Sequence, residues 1–135
     1  MRQFASWTIM AKPRSPHMSM IIDDILNEVR ETIEKHKVKV TDLTLEMTGE
    51  VVDFTGPRRL TRSVFKSLTR MLNDTIDDRN ASDLMKSKLI DDVLILPEYA
   101  FAASSNHYAA NQTGTSLVTH HFAGTWKNEH GGETA

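Results

Sequence analysis

The sequence has no cysteine, no long apolar run and no internal repeat. The absence of cysteine from its 135 residues excludes disulfide bonds, thiolate catalysis and cysteine-based zinc sites. The apolar stretches fall far short of the ~20 residues that cross a bilayer, and the N-terminus lacks a basic-then-apolar signal pattern. We therefore expect no membrane span in this chain.

The chain also lacks an excess of positive charge. It carries 16 Lys and Arg against 18 Asp and Glu, which gives a net charge of −2. Because the basic residues are dispersed, no stripe is available to neutralise a phosphate backbone, and nucleic acid is excluded as a partner. Three N-x-S/T sequons, which start at Asn73, Asn80 and Asn111, indicate exposure to a secretory lumen.

Hydrophobic periodicity predicts the elements of the first half. The apolar segment from Phe4 to Met10, centred on Trp7, predicts a strand. Ser15 is a candidate helix cap and Pro16 suits the first helical position, so a helix is predicted over residues 16–36. Its apolar side chains recur at three- and four-residue spacing and are expected in the core: Met18, Ile21, Ile22, Ile25, Val29 and Ile33.

The second half alternates further helix, turn and strand signals. Residues 38–50 leave strand and loop both open, and an apolar approach then leads to a turn at Gly56-Pro57. A second amphipathic helix should follow, with Leu60, Val64, Leu68, Met71 and Leu72 in the core, and should end near Thr75. Residues 73–88 are polar and predict a surface excursion, 93–96 predict a buried strand, and 102–115 predict a long loop. The length is that of about one domain, and the predicted helices and strands together indicate an α/β chain.

The segment 118–127 combines imidazole, glycine, hydroxyl, indole and ammonium groups. Val118 and Thr119 predict a strand, on which His120 and His121 would point to opposite faces, so that at most one of them enters a site. Gly124 marks a turn or a close backbone approach, and Lys127 suits a phosphate. This combination predicts an anionic ligand, either alone or bound to a metal.

Four segments in chain order carry a family resemblance: residues 2–17, 53–61, 91–101 and 120–127. They include Trp7 and Pro16-His17, then Asp53-Phe54-Thr55-Gly56-Pro57, then Asp91-Asp92-Val93-Leu94-Ile95-Leu96-Pro97, then His120-His121-Phe122-Ala123-Gly124-Thr125-Trp126-Lys127. In these motifs the chain resembles the C-terminal half of fungal initiation-specific α-1,6-mannosyltransferases. That family belongs to the DXD-containing glycosyltransferase superfamily with a GT-A fold.

The resemblance implies an enzyme that transfers mannose from GDP-mannose to an N-glycan acceptor in the Golgi, with a divalent metal such as Mn²⁺. A membrane anchor in the parent enzyme and partner subunits of a glycosyltransferase complex are implied in the same way. The 135 residues contain no Asp-x-Asp. We therefore expect the chain to be a single partial domain, 1–135, that lacks the N-terminal nucleotide-binding half and is inactive alone. Segments 102–116 and 128–135 are expected to be flexible.

The resemblance also assigns roles to individual residues. Asp53 would orient the acceptor hydroxyl or act as its base. The alternative is that its carboxylate only caps the turn. His120 would hold the metal or the diphosphate, with His121 as the alternate, although without the resemblance a hydrogen-bonded strand histidine is favoured. Gly56 and Pro57 are expected to form the turn. The donor would contact Gly124, Thr125, Trp126 and Lys127.

Two of these donor residues have alternatives: Trp126 would otherwise be a core anchor and Lys127 a solvated surface charge. Arg58, Leu60, Arg62 and Thr125 stand where the family often has glycine, an aromatic residue, Asp and Ser. These departures concern the specificity for the acceptor. Two other functions stay open. One is mannosyl transfer to inositol phosphoceramide, and the other, which the absent Asp-x-Asp would favour, is a truncated, non-catalytic protein that binds glycan or a partner subunit.

Overall fold

A computed structural model describes residues 4–6, 8–82, 84–97, 99–102, 115, 117 and 118. The chain divides into two compact units, Met1–Ser82 with Leu89–Leu94, and Asp83–Lys88 with Ile95–Ala135. The regular elements are α1 (Pro16–His36), α2 (Leu45–Thr48), α3 (Val51–Phe54), α4 (Pro57–Leu72), β1 (Lys88–Ile90), β2 (Val93–Ile95) and α5 (Tyr99–Ala102), with 3₁₀ turns at Val40–Asp42 and Asp78–Ala81. The mixture is consistent with an α/β chain, and the GT-A assignment stays a prediction.

The two long helices begin where the sequence predicts. Pro16 occupies the first turn of α1, although the Ser15 side chain forms no capping hydrogen bond. The helix ends at His36, because Lys37 turns left-handed and its N–H donates to the carbonyls of Glu34 and Ile33. Helix α4 begins at Pro57 and ends at Leu72, since Asn73 is also left-handed. The prediction of 16–36 is confirmed, and α4 stops three residues before the predicted end.

Helix α4 supplies most of the core of the first unit. Its buried apolar residues Leu60, Val64, Phe65 and Leu68 cluster with Ile76, and partly buried side chains surround them: Phe4, Ile21, Ala81, Ile90 and Val93. Phe4 packs edge-on against Phe65 with ring centroids 5.2 Å apart. The apolar face of α4 is therefore the centre of this unit.

Three sets of polar residues join α1 to α4, beside the apolar contact of Ile21 with the core. His17 bonds to Ser67, Asp24 to Ser63 and Lys66, and Glu28 to Arg59. The partner number falls along α4 as the number rises along α1, so the two helices run antiparallel. We call these pairs the α1–α4 polar contacts.

The structure bears out the predicted apolar stripe of α1 only in part. The fully buried residues of α1 are His17, Asp24 and Thr32. Of the predicted core residues, Ile22 is 58% exposed and the other five are partly buried: Met18, Ile21, Ile25, Val29 and Ile33. On α4 the hydroxyl of Ser63 donates to Asp24 and the hydroxyl of Ser67 bonds to His17, so α1 turns these two polar residues inward. In α4 the prediction also fails for Met71 and Leu72, which are exposed at the helix end.

The predicted strand from Phe4 to Met10 is wrong in the described residues of that segment, which contain no strand. The backbone N–H of Phe4 donates to Thr61 Oγ1 at 2.8 Å instead of to a neighbouring strand. The region 38–50 forms a 3₁₀ turn and α2, which neither sequence alternative included. Val118, from the predicted lead-in strand at 118–119, is also outside any strand, and its N–H donates to the carbonyl of Ala100 at 3.2 Å.

The predicted buried strand at 93–96 is confirmed as a strand but not as a buried one. β2 pairs with β1 in a two-stranded sheet, Leu94 is 59% exposed, and within the strand only Ile95 is buried. A two-stranded hairpin leaves one face of each strand to solvent, which explains the exposure. No helix in the described part of the chain has both the length and the apolar character of a membrane span.

Candidate functional site

The turn between α3 and α4 is set by a close backbone approach at Gly56. A Cβ atom at this position would lie 2.7 Å from the Cα of Val52, so only glycine fits without movement of the backbone. Pro57 follows in the first turn of α4, where it needs no hydrogen-bond donor. The turn predicted at Gly56 and Pro57 is present. It brings the end of α3 beside the first turns of α4.

Asp53, the predicted acceptor residue, lies on α3 at this turn and is held by two arginines of α4. Arg58 Nη1 donates to Oδ2 at 2.7 Å, and Arg62 Nη1 donates to Oδ1 at 3.0 Å. Arg62 also donates to the backbone carbonyl of Asp53 at 2.9 Å, and Arg58 reaches Glu50 at 3.1 Å. The carboxylate side chain is about one-third exposed, at 35%.

The arginines fix the charge of this carboxylate. The hydrogen bond from Arg58 lowers the pKa of Asp53, and the charges of Arg58 and Arg62 act in the same direction against partial desolvation. Asp53 is therefore ionised at neutral pH and available as a hydrogen-bond acceptor. A carboxylate whose pKa is lowered is a weaker base, so of its two predicted roles the geometry favours orientation of a hydroxyl over removal of its proton.

Asp53 lines a cavity of about 360 Å³ in the first unit. The cavity is bounded by two acidic, two basic, one hydroxyl and one aromatic side chain: Glu28, Thr48, Asp53, Phe54, Arg59 and Arg62. Arg59 pairs with Glu28 and donates to the carbonyl of Phe54 at 3.3 Å, which ties α1, α3 and α4 together at the cavity wall. Fixed donors and acceptors beside one aromatic ring suit a neutral, hydroxyl-rich ligand.

A second polar cluster surrounds the imidazole of His17, which is 4% exposed. Its Nδ1 lies 2.9 Å from Ser67 Oγ and its Nε2 lies 2.7 Å from Asp92 Oδ1, while Lys12 Nζ donates to the other oxygen of Asp92 at 2.9 Å. The order serine, histidine, aspartate matches that of hydrolase triads. Ser67 is 2% exposed in mid-helix, so no substrate reaches it, and the cluster is structural.

The predicted metal and donor residues His120, His121, Gly124, Thr125, Trp126 and Lys127 lie outside the described residues. Within the described ranges no three His, Asp or Glu side chains converge as metal ligands. The assignment of a metal to His120, with His121 as the alternate, therefore stays a prediction.

The sequence analysis did not predict the partners of the acidic residues in these clusters. The bond between Asp92 and His17 was not predicted, although both residues belong to motifs that carry the family resemblance. The pairing of Glu28 with Arg59 was also missed, since the two residues lie 31 positions apart. For Asp53 the sequence did contain a signal. Arg58 and Arg62 are four residues apart on α4, so they share one face of that helix, and both bond to Asp53.

Comparison with known proteins gives one informative similarity. The chain is 30% identical over 130 residues to the initiation-specific α-1,6-mannosyltransferase of Schizosaccharomyces pombe, a match that covers 94% of this chain and 31% of that protein. No model of a known protein family matches the chain, and no solved structure matches it. The chain thus spans about a third of the length of a relative that is a mannosyltransferase, and its similarity is to that class of glycosyltransferase.

Proposed function

We propose that this chain contributes the acceptor side of a mannosyltransferase site, in an enzyme that moves mannose from GDP-mannose to an N-glycan in the Golgi lumen. The observation that carries the proposal is the position of Asp53. Asp53 belongs to one of the motifs that carry the family resemblance, and the 130-residue similarity to a mannosyltransferase includes it. It also lines the cavity of about 360 Å³, whereas a second cavity, between α1 and α2, is lined by none of the predicted site residues.

The chemistry of acceptor binding fits this cavity. A sugar offers hydroxyl groups that donate to a carboxylate and accept from a guanidinium, and Asp53, Glu28, Arg59 and Arg62 present both kinds of group within one cavity. Because Arg58 and Arg62 already hold Asp53, its carboxylate loses little freedom when a hydroxyl binds. Asp53 would then fix the direction in which the acceptor oxygen faces the donor.

The donor side belongs to the same proposal. His120 would hold Mn²⁺, with His121 as the alternate, and the metal would supply electrostatic stabilisation of the leaving diphosphate. Gly124, Thr125, Trp126 and Lys127 would contact GDP-mannose. These assignments rest on the family resemblance of residues 120–127.

A non-catalytic glycan-binding protein is the second candidate. The contacts of Asp53 with Arg58 and Arg62 favour it, because an arginine-held carboxylate binds a hydroxyl well and accepts its proton poorly. Both candidates require the cavity to bind a mannose-containing oligosaccharide. They differ in whether binding leads to transfer.

Binding is tested first, with a high-mannose oligosaccharide titrated into the full chain and followed by calorimetry. We expect saturable binding that weakens about tenfold or more in Asp53→Asn, since one charged hydrogen-bond acceptor is lost. Asp23→Asn removes an exposed carboxylate of α1 outside the cavity and serves as the matched control. No binding by the unaltered chain, or equal binding by Asp53→Asn, would contradict the acceptor role.

Transfer is tested in a chimera in which this chain replaces the matching third of the S. pombe relative. With GDP-mannose and Mn²⁺ supplied, a functional acceptor side gives mannose transfer that Asp53→Asn reduces. A chimera that folds and binds the oligosaccharide without transfer supports the binding protein instead.

A further inference from the structure

The polar segment after α4 contains two glycosylation sequons seven residues apart, and their asparagines differ in exposure and in hydrogen bonding. The first is Asn73-Asp74-Thr75 and the second is Asn80-Ala81-Ser82. An N-linked glycan is bulky and needs its asparagine at the surface. The local geometry of each asparagine therefore decides whether the folded chain accommodates a glycan.

Asn73 is presented at the end of a helix. It follows Leu72, the last residue of α4, and adopts φ 50° and ψ 37°, a left-handed conformation that asparagine tolerates better than most residues. Asn73, Asp74 and Thr75 are all exposed. No residue that the structure describes forms a hydrogen bond with the Asn73 amide, so the side chain projects where a sugar finds room.

The side chain of Asn80 instead caps a turn of the backbone. It is half-buried in the 3₁₀ turn Asp78–Ala81, and its Oδ1 accepts from the backbone N–H of Asp77 at 2.9 Å as one half of a capping box. The hydroxyl of Ser82, the third residue of the sequon, donates to the carbonyl of Asp78. A glycan on Asn80 would have to be accommodated around a side chain that caps this turn.

The surface beside Asn73 offers a second reason. Met71 is 47% exposed and Leu72 is 41% exposed, immediately before the asparagine in sequence. The first sugars of a glycan on Asn73 would lie close enough to shield these apolar side chains from water. At the second sequon, Ile76 is buried and Ala81 is half-buried.

We propose that Asn73 is a site of N-glycosylation and that Asn80 is not. In this reaction Nδ2 of Asn73 loses a proton and bonds to the anomeric carbon of a lipid-linked oligosaccharide, and the lipid diphosphate leaves. The cell's secretory machinery supplies the donor and the transferase. The inference rests on the geometry of the two sequons and on the lumenal location in the proposed function, and it does not require mannosyl transfer by this chain.

The test expresses the full chain behind a cleavable secretion signal in a eukaryotic cell, on an Asn111→Gln background because Asn111 lies outside the described residues. Total cell protein is examined, so that a variant that is retained in the cell is still scored. Intact mass is measured before and after enzymatic removal of N-glycans. We expect one glycan, carried on the peptide that contains Asn73.

Four variants decide between the sequons. Asn73→Gln and Thr75→Ala should each abolish the glycan, whereas Asn80→Gln and Ser82→Ala should leave it in place. Because Thr75→Ala keeps the asparagine, its agreement with Asn73→Gln excludes a folding artefact at the helix end. The proposal is overturned if no glycan forms, if the glycan is lost in Asn80→Gln, or if two glycans form with one lost in each asparagine variant.

Discussion

The imidazole of His17 joins the start of α1 to Asp92 in the turn between the two strands, with Nε2 and Oδ1 2.7 Å apart across 75 residues of sequence. An ionised carboxylate accepts only, so Nε2 carries a proton and donates it. In the neutral imidazole Nδ1 is then an acceptor, and the Ser67 hydroxyl donates to it at 2.9 Å. One buried side chain thereby links three elements of the first unit.

Removal of this link should destabilise the chain. In His17→Ala the hydroxyl of Ser67 stays buried without its partner, which costs about 1 to 3 kcal/mol of unfolding free energy. Urea unfolding followed by circular dichroism measures the loss. His36→Ala, at the exposed end of α1, is the control and should change stability by less than about 0.5 kcal/mol. Equal effects of the two changes would show that the His17 contacts contribute nothing.

Asp92 should make stability depend on acid. Hydrogen bonds from Lys12 and His17 lower its pKa from 3.8 to about 2 in the folded chain. Because the folded pKa lies below the unfolded one, the stabilisation is present above pH 3.8 and is lost as the pH falls from about 4 to about 2. Asp92→Asn should therefore be less stable than the unaltered chain at pH 6, and the difference should shrink at pH 2.5. A difference that stays constant with pH would contradict the assignment.

The core of the first unit depends on Leu68, which has no exposed surface. Leu68→Ala should cost about 2 to 5 kcal/mol, because the removed methyl groups leave a cavity among side chains that relax only partly. Leu72→Ala removes the same atoms from a side chain that is 41% exposed at the end of the same helix, and should cost less than about 1 kcal/mol. Thermal unfolding of both variants checks this, and similar losses would contradict the described core.

The outer face of α1 should bind a hydrophobic dye. Ile22 is 58% exposed and Leu26 is 45% exposed one turn further on, and such adjacent apolar side chains are the usual sites of dye binding. The double change Ile22→Gln and Leu26→Gln should lower the dye fluorescence while the unfolding midpoint changes little. Met10→Gln, in which an almost fully exposed single side chain is altered, should leave the signal nearly unchanged. Retention of the full signal by the double variant would place the dye elsewhere.

His120 and His121 should differ in metal binding, because the sequence predicts that at most one of them faces the site. In the chimera with the S. pombe relative, His120→Ala should weaken the affinity for Mn²⁺ by about tenfold or more, and His121→Ala much less. The readout is the electron paramagnetic resonance signal of free Mn²⁺ during titration of the chimera, which needs no turnover. If His121→Ala is the damaging change, the choice between the two histidines is wrong.

The sequence predicts the long helices well because local signals define them. Pro16 and Pro57 favour the first helical turn, and the spacing of Leu60, Val64 and Leu68 predicts the buried face of α4. Gly56 was also predictable, since a glycine before proline marks a turn. Each of these signals depends on residues within a few positions of each other.

The remaining features depend on distant residues. Phe4 has the β propensity of a strand residue, yet its ring packs on Phe65 and its N–H bonds to Thr61. Asp24 lies outside the predicted apolar stripe of α1, yet it is buried, where Ser63 and Lys66 bond to it. Burial raises its pKa, and these hydrogen bonds more than offset that rise, so the pKa is lowered and Asp24 is charged. No periodicity within α1 predicts partners that lie about 40 residues away.

The α1–α4 polar contacts also determine how the two helices are aligned along their axes. Apolar side chains lose little when helices slide by one turn, because any aliphatic surface serves as a partner for another. A slide of this kind would separate His17 from Ser67 and Asp24 from Ser63 at the same time, and would leave buried polar groups unsatisfied. The pair therefore has a single favoured register, and this register fixes where Arg59 meets Glu28 and thus where the wall of the Asp53 cavity stands.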